Sequence, residues 1–198
     1  MGIYLKAVQR PGMYAGRYVG GPWRIVWHTT ETATAEEAMG FFVKKYSWPH
    51  FTVDADVVYQ HYDTNMAARS LEHPPGTPET NNWHAVQIEL VAYAAQAKPP
   101  ELLARAARLA RWIERTHAVP QQWPAGYPLG AVNGKDPGGH NRSPDIWRLQ
   151  GGHYGHSQVP NNSHWDPGLI DIPALMAPDP VVPEWGDFPA TGRGSRPA

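Results

Sequence analysis

The segment from Arg24 to Thr30, Arg-Ile-Val-Trp-His-Thr-Thr, is a short apolar run that ends in polar residues. A continuous apolar run of this length is typical of a strand that is buried on both faces of a sheet. In open α/β sheets, ligands bind beside the carboxyl ends of the strands. We therefore predict a central strand that carries His28 at its functional end. The alternative is an ordinary core histidine whose hydrogen bonds are satisfied inside the protein.

Strand and helix patterns continue along the chain to residue 117. Thr34 and Glu37 have the spacing of a capping box, which predicts the start of a helix. Phe51 and Val53 alternate with polar residues, as in a half-buried strand. Two prolines followed by a leucine-rich stripe predict a second helix. The predicted elements are a helix over Thr34–Tyr46, a hairpin of His50–Asp54 and Val57–Tyr62, a strand within Trp83–Tyr93, and a helix over Pro99–His117.

A carboxylate lies in the middle of the strand predicted within residues 83–93. Val86, Ile88 and Leu90 share one face of this strand, whereas Gln87 and Glu89 share the other. Burying a carboxylate costs free energy unless the group is paired or has a function. Glu89 is therefore a candidate functional residue. The alternative is an edge strand from which Glu89 points to solvent.

The segment from Gly151 to Gly168 is the densest polar stretch, with three histidines and one aspartate. It has no hydrophobic periodicity and several turn-forming residues, which predicts a loop. Imidazole and carboxylate groups are the zinc ligands that remain when cysteine is absent. A catalytic zinc needs three protein ligands and one open position. This loop could supply two of them, and a histidine on a rigid element the third. His153 and His140 are rival candidates for a ligand place.

The length, charge and composition of the chain restrict the classes of protein to which it can belong. The chain has 198 residues, of which 41% are hydrophobic, a formal net charge of −1 and no cysteine. The length fits one domain with a real core, and the charge gives no indication of nucleic-acid binding. No apolar run approaches the roughly 20 residues of a membrane span, and residues 1–10 lack the apolar core of a signal peptide. Residues 177–198 have the proline-rich composition of a tail or linker, so we expect the folded domain over residues 1–176.

Four motifs occur in one order along the chain, and together they resemble the zinc-dependent N-acetylmuramoyl-L-alanine amidases. They are the strand end Ile-Val-Trp-His28-Thr-Thr, the hairpin His50-Phe-Thr-Val-Asp with Val-Tyr-Gln, the strand Val-Gln-Ile-Glu89-Leu, and Gly-His156-Ser with His164-Trp-Asp166-Pro-Gly. Each motif alone is weak, whereas four in order over residues 20–172 are specific. The family includes phage lysozyme-type amidases, bacterial anhydromuramyl amidases and peptidoglycan-recognition proteins. The resemblance implies an α/β fold with a mixed central β-sheet flanked by helices, and a zinc ion in a surface groove.

The resemblance also implies a ligand set and a substrate. Matched motif by motif, His28, His156 and Asp166 are the implied zinc ligands. The substrate would be the amide that joins the lactyl group of N-acetylmuramic acid to L-alanine in bacterial peptidoglycan. We expect a monomer that acts on peptidoglycan, without a nucleic-acid or membrane partner.

Catalytic roles follow from the same resemblance. Glu89 matches the glutamate that some branches of the family use as general base. His164 falls where many members carry a lysine that stabilises the transition state, and it would act either as an imidazolium or as a neutral N–H donor. His50 matches a histidine that follows a tyrosine in the phage lysozyme branch. Pro49 replaces that tyrosine here, so no tyrosine role carries over.

The sequence leaves other functions open. A non-catalytic peptidoglycan-binding module has the same fold, although members that only bind usually lack a zinc ligand. A zinc endopeptidase that cuts within the stem peptide is a further alternative. The His-Trp-Asp-Pro-Gly motif and the lack of a signal peptide favour a phage endolysin that stays in the host cytoplasm until a holin-type release to the wall. A cytoplasmic wall-recycling amidase is the competing interpretation.

Overall fold

The computed structural model describes residues 2–83 and 85–178. Within these ranges, the strands are β1 Val8–Gln9, β2 Gly16–Arg17, β3 Arg24–Thr29, β4 Phe51–Val53, β5 Val58–Gln60, β6 Met66–Ala67, β7 Ala85–Leu90 and β8 Gly152–Gly155. The helices are α1 Ala35–Lys45, α2 Pro100–His117, α3 Pro144–Leu149 and α4 Ile172–Leu175. The predicted tail over residues 177–198 lies outside the described residues, except for its first two positions.

Six of the strands form one mixed sheet in the order β1-β5-β4-β7-β3-β8. β4 and β5 are antiparallel, as the predicted hairpin requires, and the other neighbours are parallel. β3 and β7 lie inside the sheet, and every residue of both strands is buried. The predicted fold class and the central strand are therefore confirmed. The edge-strand alternative for Glu89 is wrong, because β7 has a neighbour on each side.

The two faces of the sheet have different partners. Ile25 and Trp27 join the core beneath α2, together with the apolar stripe of that helix. Val26 belongs to a separate cluster with Trp147 on the other face. Each fully buried large apolar side chain contributes about 1.5–3 kcal/mol, so this alternation fixes which way β3 faces. His28 follows Val26 by two residues and therefore lies on the face away from α2.

Residues Gly152–Gly155 form a strand at the edge of the sheet, paired with β3, and continue into a 3-10 turn over His156–Gln158. The prediction of a loop throughout Gly151–Gly168 is wrong for this part. Gly155 leaves room for two prolines that pack against this strand, because a Cβ at this position would lie 2.9 Å from Pro128 and from Pro167. Backbone pairing, rather than an apolar side-chain pattern, therefore forms β8 and places His156 beside the end of β3.

The predicted helices are confirmed at both positions. α1 has one half of the predicted capping box: the Thr34 hydroxyl accepts the Glu37 N–H at 3.2 Å, whereas Glu37 Oε2 accepts the N–H of Ala33, one residue before the cap, at 3.1 Å. α2 has Pro100 in its first turn, where the missing N–H leaves no bond unmade. None of the helices in the described part of the chain is long and apolar enough to cross a membrane.

His50 and His61 are buried histidines with both ring nitrogens engaged. His50 Nδ1 accepts the backbone N–H of Gln87 at 2.9 Å, so Nε2 carries the proton and donates to the carbonyl of Met66 at 2.8 Å. The His61 ring lies in the same way between a hydroxyl group and a backbone carbonyl. Burial lowers the pKa of His50 to about 3 and the pKa of His61 to about 4. Both rings are therefore neutral in the folded protein at pH 7.

We expect the free energy of unfolding to fall as the pH drops below 6.5. The unfolded chain binds a proton at each histidine with a pKa of about 6.5. The folded protein resists that proton, so stability present above this pH is lost as the pH falls toward 4. The loss between pH 7 and pH 5 should be about 2 kcal/mol per histidine. Urea unfolding at pH 7 and at pH 5, with a chelator present, measures this. Between these pH values the free energy of unfolding should fall by about 2 kcal/mol less in His61→Gln than in the parent; equal falls in the two proteins would contradict the expectation.

Candidate metal centre

The ends of β3 and β8 and the turn beyond them bring together His28, His156 and Asp166. All three residues are buried, and one ligand atom from each lies within 4.8 Å of the others. His28 Nδ1 is 3.1 Å from His156 Nδ1 and 3.5 Å from Asp166 Oδ2, and His156 Nδ1 is 3.3 Å from the same oxygen. Ligand atoms about 2.0–2.1 Å from one tetrahedral zinc ion would be separated by about 3.3 Å. The three side chains could therefore hold a single metal ion.

Backbone contacts fix the position of Asp166. Its carbonyl oxygen accepts the Ser157 N–H at 2.8 Å, and its Oδ2 accepts the Thr29 N–H at 3.4 Å. Two residues on, Gly168 has a φ of +66°, and a Cβ there would lie 2.0 Å from the carbonyl oxygen of Ala94. Only glycine meets both conditions. The Pro-Gly after Asp166 thus lets this turn pack against the segment that follows β7.

Burial and mutual charge decide the protonation of the three side chains. Burial opposes ionisation of Asp166, but its contacts with His156, His164 and His28 hold its pKa well below the usual range. Burial lowers the pKa of His156 to about 4. Burial also disfavours a charge on His28, but its contacts with Asp166 and Glu89 outweigh this and raise its pKa. The cluster therefore offers a carboxylate and a neutral His156 ring, and a bound cation would displace the extra proton from His28.

Glu89 faces the cluster from β7, next to His28 in the strand register. Its Oε1 lies 3.9 Å from His28 Nδ1, and its Oε2 is buried without a hydrogen-bond partner among the described residues. Burial raises the pKa of Glu89 to about 7, although His28 acts in the opposite direction. A carboxyl group with a pKa near neutrality can both accept and release a proton, as a general base must.

His164 lies at the solvent side of the cluster. Its ring stacks on His156 with centroids 4.4 Å apart and an interplanar angle of 17°. Its Nδ1 is 3.6 Å from Asp166 Oδ1, and its side chain is 56% exposed, compared with 6% for His156. Its interaction with Asp166 raises the pKa of His164, against a smaller effect of burial. The ring is therefore placed where a ligand that enters from solvent would meet it.

The structure places neither rival histidine in the cluster. His153 lies on the face of the sheet covered by α2, where Trp27 Nε1–H donates to its Nδ1 at 3.1 Å. Its Nε2 donates to Glu114 at 3.0 Å, and Glu114 is also paired with the buried Arg111. His140 pairs with an aspartate at 2.7 Å and does not line the groove. The predicted set His28, His156, Asp166, Glu89 and His164 thus occupies one place in the fold.

The cluster lies in a groove of about 550 Å³ that also contains two basic side chains, Lys45 at the end of α1 and Arg69. A larger cavity of about 780 Å³ lies between α2 and residues 169–178, but it is mainly apolar and contains none of the clustered ligands. The chemistry of the side chains, rather than cavity size, identifies the groove as the candidate site.

Two residues beside the cluster were not among the predicted site residues. Gln87 Oε1 lies 2.8 Å from His28 Nε2. Glu31 has a φ of +54°, and its Oε1 accepts the Thr29 hydroxyl at 2.6 Å and the Ala94 N–H at 2.7 Å. The position of Gln87 two residues before Glu89 is a signal, because both side chains share one face of β7. Glu31 offers no comparable signal, since its role depends on a loop distant in sequence.

Comparisons with known proteins identify a family and a fold. A sequence profile described as N-acetylmuramoyl-L-alanine amidase matches residues 19–169. No curated protein sequence matches the chain. A crystal structure of AmpD aligns with 13% identity over 88% of this chain and 94% of AmpD, at a TM-score of 0.56. The Staphylococcus aureus hydrolase AmiA aligns with 18% identity over 82% of this chain and 74% of AmiA, at 0.52. Both likenesses show a shared fold.

Proposed function

The chain belongs to the N-acetylmuramoyl-L-alanine amidase family and is an amidase of peptidoglycan, and we propose that it works with a zinc ion held by His28, His156 and Asp166. The observation that carries this proposal is the convergence of three buried ligand atoms at tetrahedral spacing. The set contains no thiolate and leaves a fourth position free, as in catalytic zinc sites. Zinc, when bound, supplies Lewis acidity that lowers the pKa of water to about 7 and polarises an amide carbonyl.

Two side chains beside the cluster have the remaining catalytic roles in this proposal, proton transfer and stabilisation of the oxyanion. We propose that Glu89 takes a proton from the attacking water and delivers it to the leaving nitrogen, so that the C–N bond breaks. The products are the lactyl carboxylate of N-acetylmuramic acid and the free amino group of L-alanine. His164 donates an N–H group to the developing oxyanion from the solvent side. Two neutral imidazoles and one carboxylate around a divalent ion leave a net charge of +1, which also favours that oxyanion.

A chelation experiment tests the metal. Hydrolysis of purified muropeptides should stop when the protein is stripped by a chelator, and one equivalent of zinc per chain should restore it. Far-UV circular dichroism before and after stripping checks that the fold persists. Full activity in protein shown by elemental analysis to be free of metal would contradict the proposal.

We further propose that the amidase degrades the cell wall during phage-induced lysis. The support is the His164-Trp-Asp-Pro-Gly168 motif, which resembles the lysins of actinobacterial phages. Purified protein added to intact actinobacterial walls should reduce their turbidity. A strong preference for small anhydromuropeptides over intact walls would instead indicate wall recycling.

Replacement of His164 by alanine should lower kcat roughly 10²- to 10³-fold, the usual cost of losing one oxyanion donor. Zinc content should remain at one ion per chain, because the proposed ligands are untouched. His140→Ala removes a histidine outside the groove and is the control, with a rate near that of the parent. Full activity in His164→Ala would show that the ring has no part in the reaction.

A further inference from the structure

Gln87 is a fully buried amide in the middle of the central sheet, in direct contact with a proposed metal ligand. Its side chain is 0% exposed, and its Oε1 lies 2.8 Å from His28 Nε2. The backbone of Gln87 is fixed as well, because its N–H donates to the His50 ring at 2.9 Å and its carbonyl accepts the His50 N–H at 3.0 Å. The amide oxygen is therefore presented to His28 from a rigid support.

This contact determines which nitrogen of His28 carries the proton. An amide oxygen only accepts hydrogen bonds, so His28 Nε2 must be the donor. A neutral imidazole has one N–H, which leaves a lone pair on Nδ1. Nδ1 is the atom that faces His156 at 3.1 Å and Asp166 at 3.5 Å. The hydrogen bond to Gln87 thus selects the tautomer that can bind a metal ion at the cluster.

The other half of the same amide argues against a purely structural role. Gln87 Nε2 is buried and has no hydrogen-bond partner among the described residues. A buried donor without a partner destabilises the folded state, and an apolar side chain of similar shape would avoid that cost. A side chain chosen only for packing would therefore not be an amide at this position.

We infer that Gln87 is a positioning residue, which holds His28 in the tautomer and ring orientation required for metal binding. The inference rests on the proposed zinc site. It concerns the affinity for the metal, which Gln87 changes without touching the ion. Partners of this kind, which bind the distal nitrogen of a ligating histidine, typically change metal affinity roughly 10- to 100-fold.

Zinc affinity of the purified full chain, measured by competition with a chromophoric chelator, tests the inference. Gln87→Met keeps the length of the side chain but removes the acceptor, and it should raise the Kd for zinc roughly 10- to 100-fold. Gln87→Glu keeps an acceptor oxygen and should bind zinc at least as tightly as the parent. Thr52→Val disturbs another buried hydrogen bond of the sheet, to His61, and should leave the Kd unchanged.

Two further readouts separate positioning from a structural role. In the metal-free parent, at a pH high enough for the His28 ring to be neutral, long-range ¹H–¹⁵N spectra should show the His28 proton on Nε2, and this preference should weaken in Gln87→Met. The melting temperature of Gln87→Met without metal should stay near that of the parent, because the unpaired Gln87 N–H group is gone while His28 Nε2–H loses its acceptor. A parent that binds zinc and a Gln87→Met variant of equal affinity would overturn the inference and leave the zinc site intact. A parent that binds no zinc would overturn both.

Discussion

Replacing Glu89 with glutamine is expected to lower kcat roughly 10²- to 10⁴-fold, the usual contribution of a general base. The substitution preserves the shape of the side chain but removes its ability to take a proton. Glu89 has one buried oxygen without a hydrogen-bond partner among the described residues, so no structural bond is lost at that atom. Zinc content and binding of uncleaved muropeptide should stay near those of the parent. Single-turnover kinetics on a defined muropeptide, with zinc measured on the same sample, checks the expectation.

Glu72→Gln is the matched control for Glu89. Glu72 lines the same groove, so its substitution removes one negative charge from the same surface without touching the cluster. Its rate should fall within a few-fold of the parent. A Glu89→Gln variant that hydrolyses at a near-normal rate would mean that the carboxylate is a structural member of the groove, and another group would have to accept the proton.

Loss of a proposed metal ligand should have the other large effect. His28→Ala, His156→Ala and Asp166→Asn should each lose zinc and hydrolysis together. One of only three protein ligands is removed in each variant, so the loss of affinity should exceed the roughly 10- to 100-fold cost of removing a neighbouring hydrogen-bond partner. Elemental analysis after dialysis, together with circular dichroism to verify the fold, measures this. Hydrolysis should fall to background in all three.

His153→Gln provides the control for these ligand variants. His153 is also buried, but it belongs to the network with Trp27 and Glu114 on the α2 face. Its replacement is expected to lower the melting temperature, because that network loses its central ring. Zinc should remain at one ion per chain. If His153→Gln lost zinc while His156→Ala kept it, the proposed ligand set would be wrong.

The strands of the central sheet could be predicted because side-chain burial determines them. The apolar run of Arg24–Thr29 and the alternation within Ala85–Leu90 both record burial, and the structure places them side by side. That adjacency puts Glu89 next to His28. The position of the strand and the face that Glu89 shares with Gln87 therefore followed from local pattern, whereas the place of β7 inside the sheet, rather than at its edge, did not.

β8 could not be predicted from an apolar pattern because its residues have none. Gly152 and Gly155 are required by the close approach of residues 122–128, which are distant in sequence. Unless β8 is recognised as a strand, the sequence does not show that His153 faces α2 and His156 faces the groove. The choice between these two histidines at the sequence level therefore depended on resemblance to a family, whereas the structure separates them by their faces of the sheet.

The role inferred for Gln87 was hidden for another reason. An amide is not among the usual zinc ligands, so a search for ligand types passes over it. Its importance appears only when the ring of His28 is seen to place Nε2 against the amide oxygen and Nδ1 toward the cluster. Pairwise contacts that select a tautomer leave no pattern in a single sequence.

Mass spectrometry of muropeptides digested by the zinc-loaded protein tests the central claim most directly, with Glu89→Gln as the blank. The proposed chemistry predicts fragments that carry a new free amino group on L-alanine, beside N-acetylmuramic acid with an intact lactyl carboxylate. No other bond of the stem peptide should be cut. Cleavage within the stem peptide would contradict the assigned bond and indicate an endopeptidase, and binding without any cleavage would contradict the enzyme.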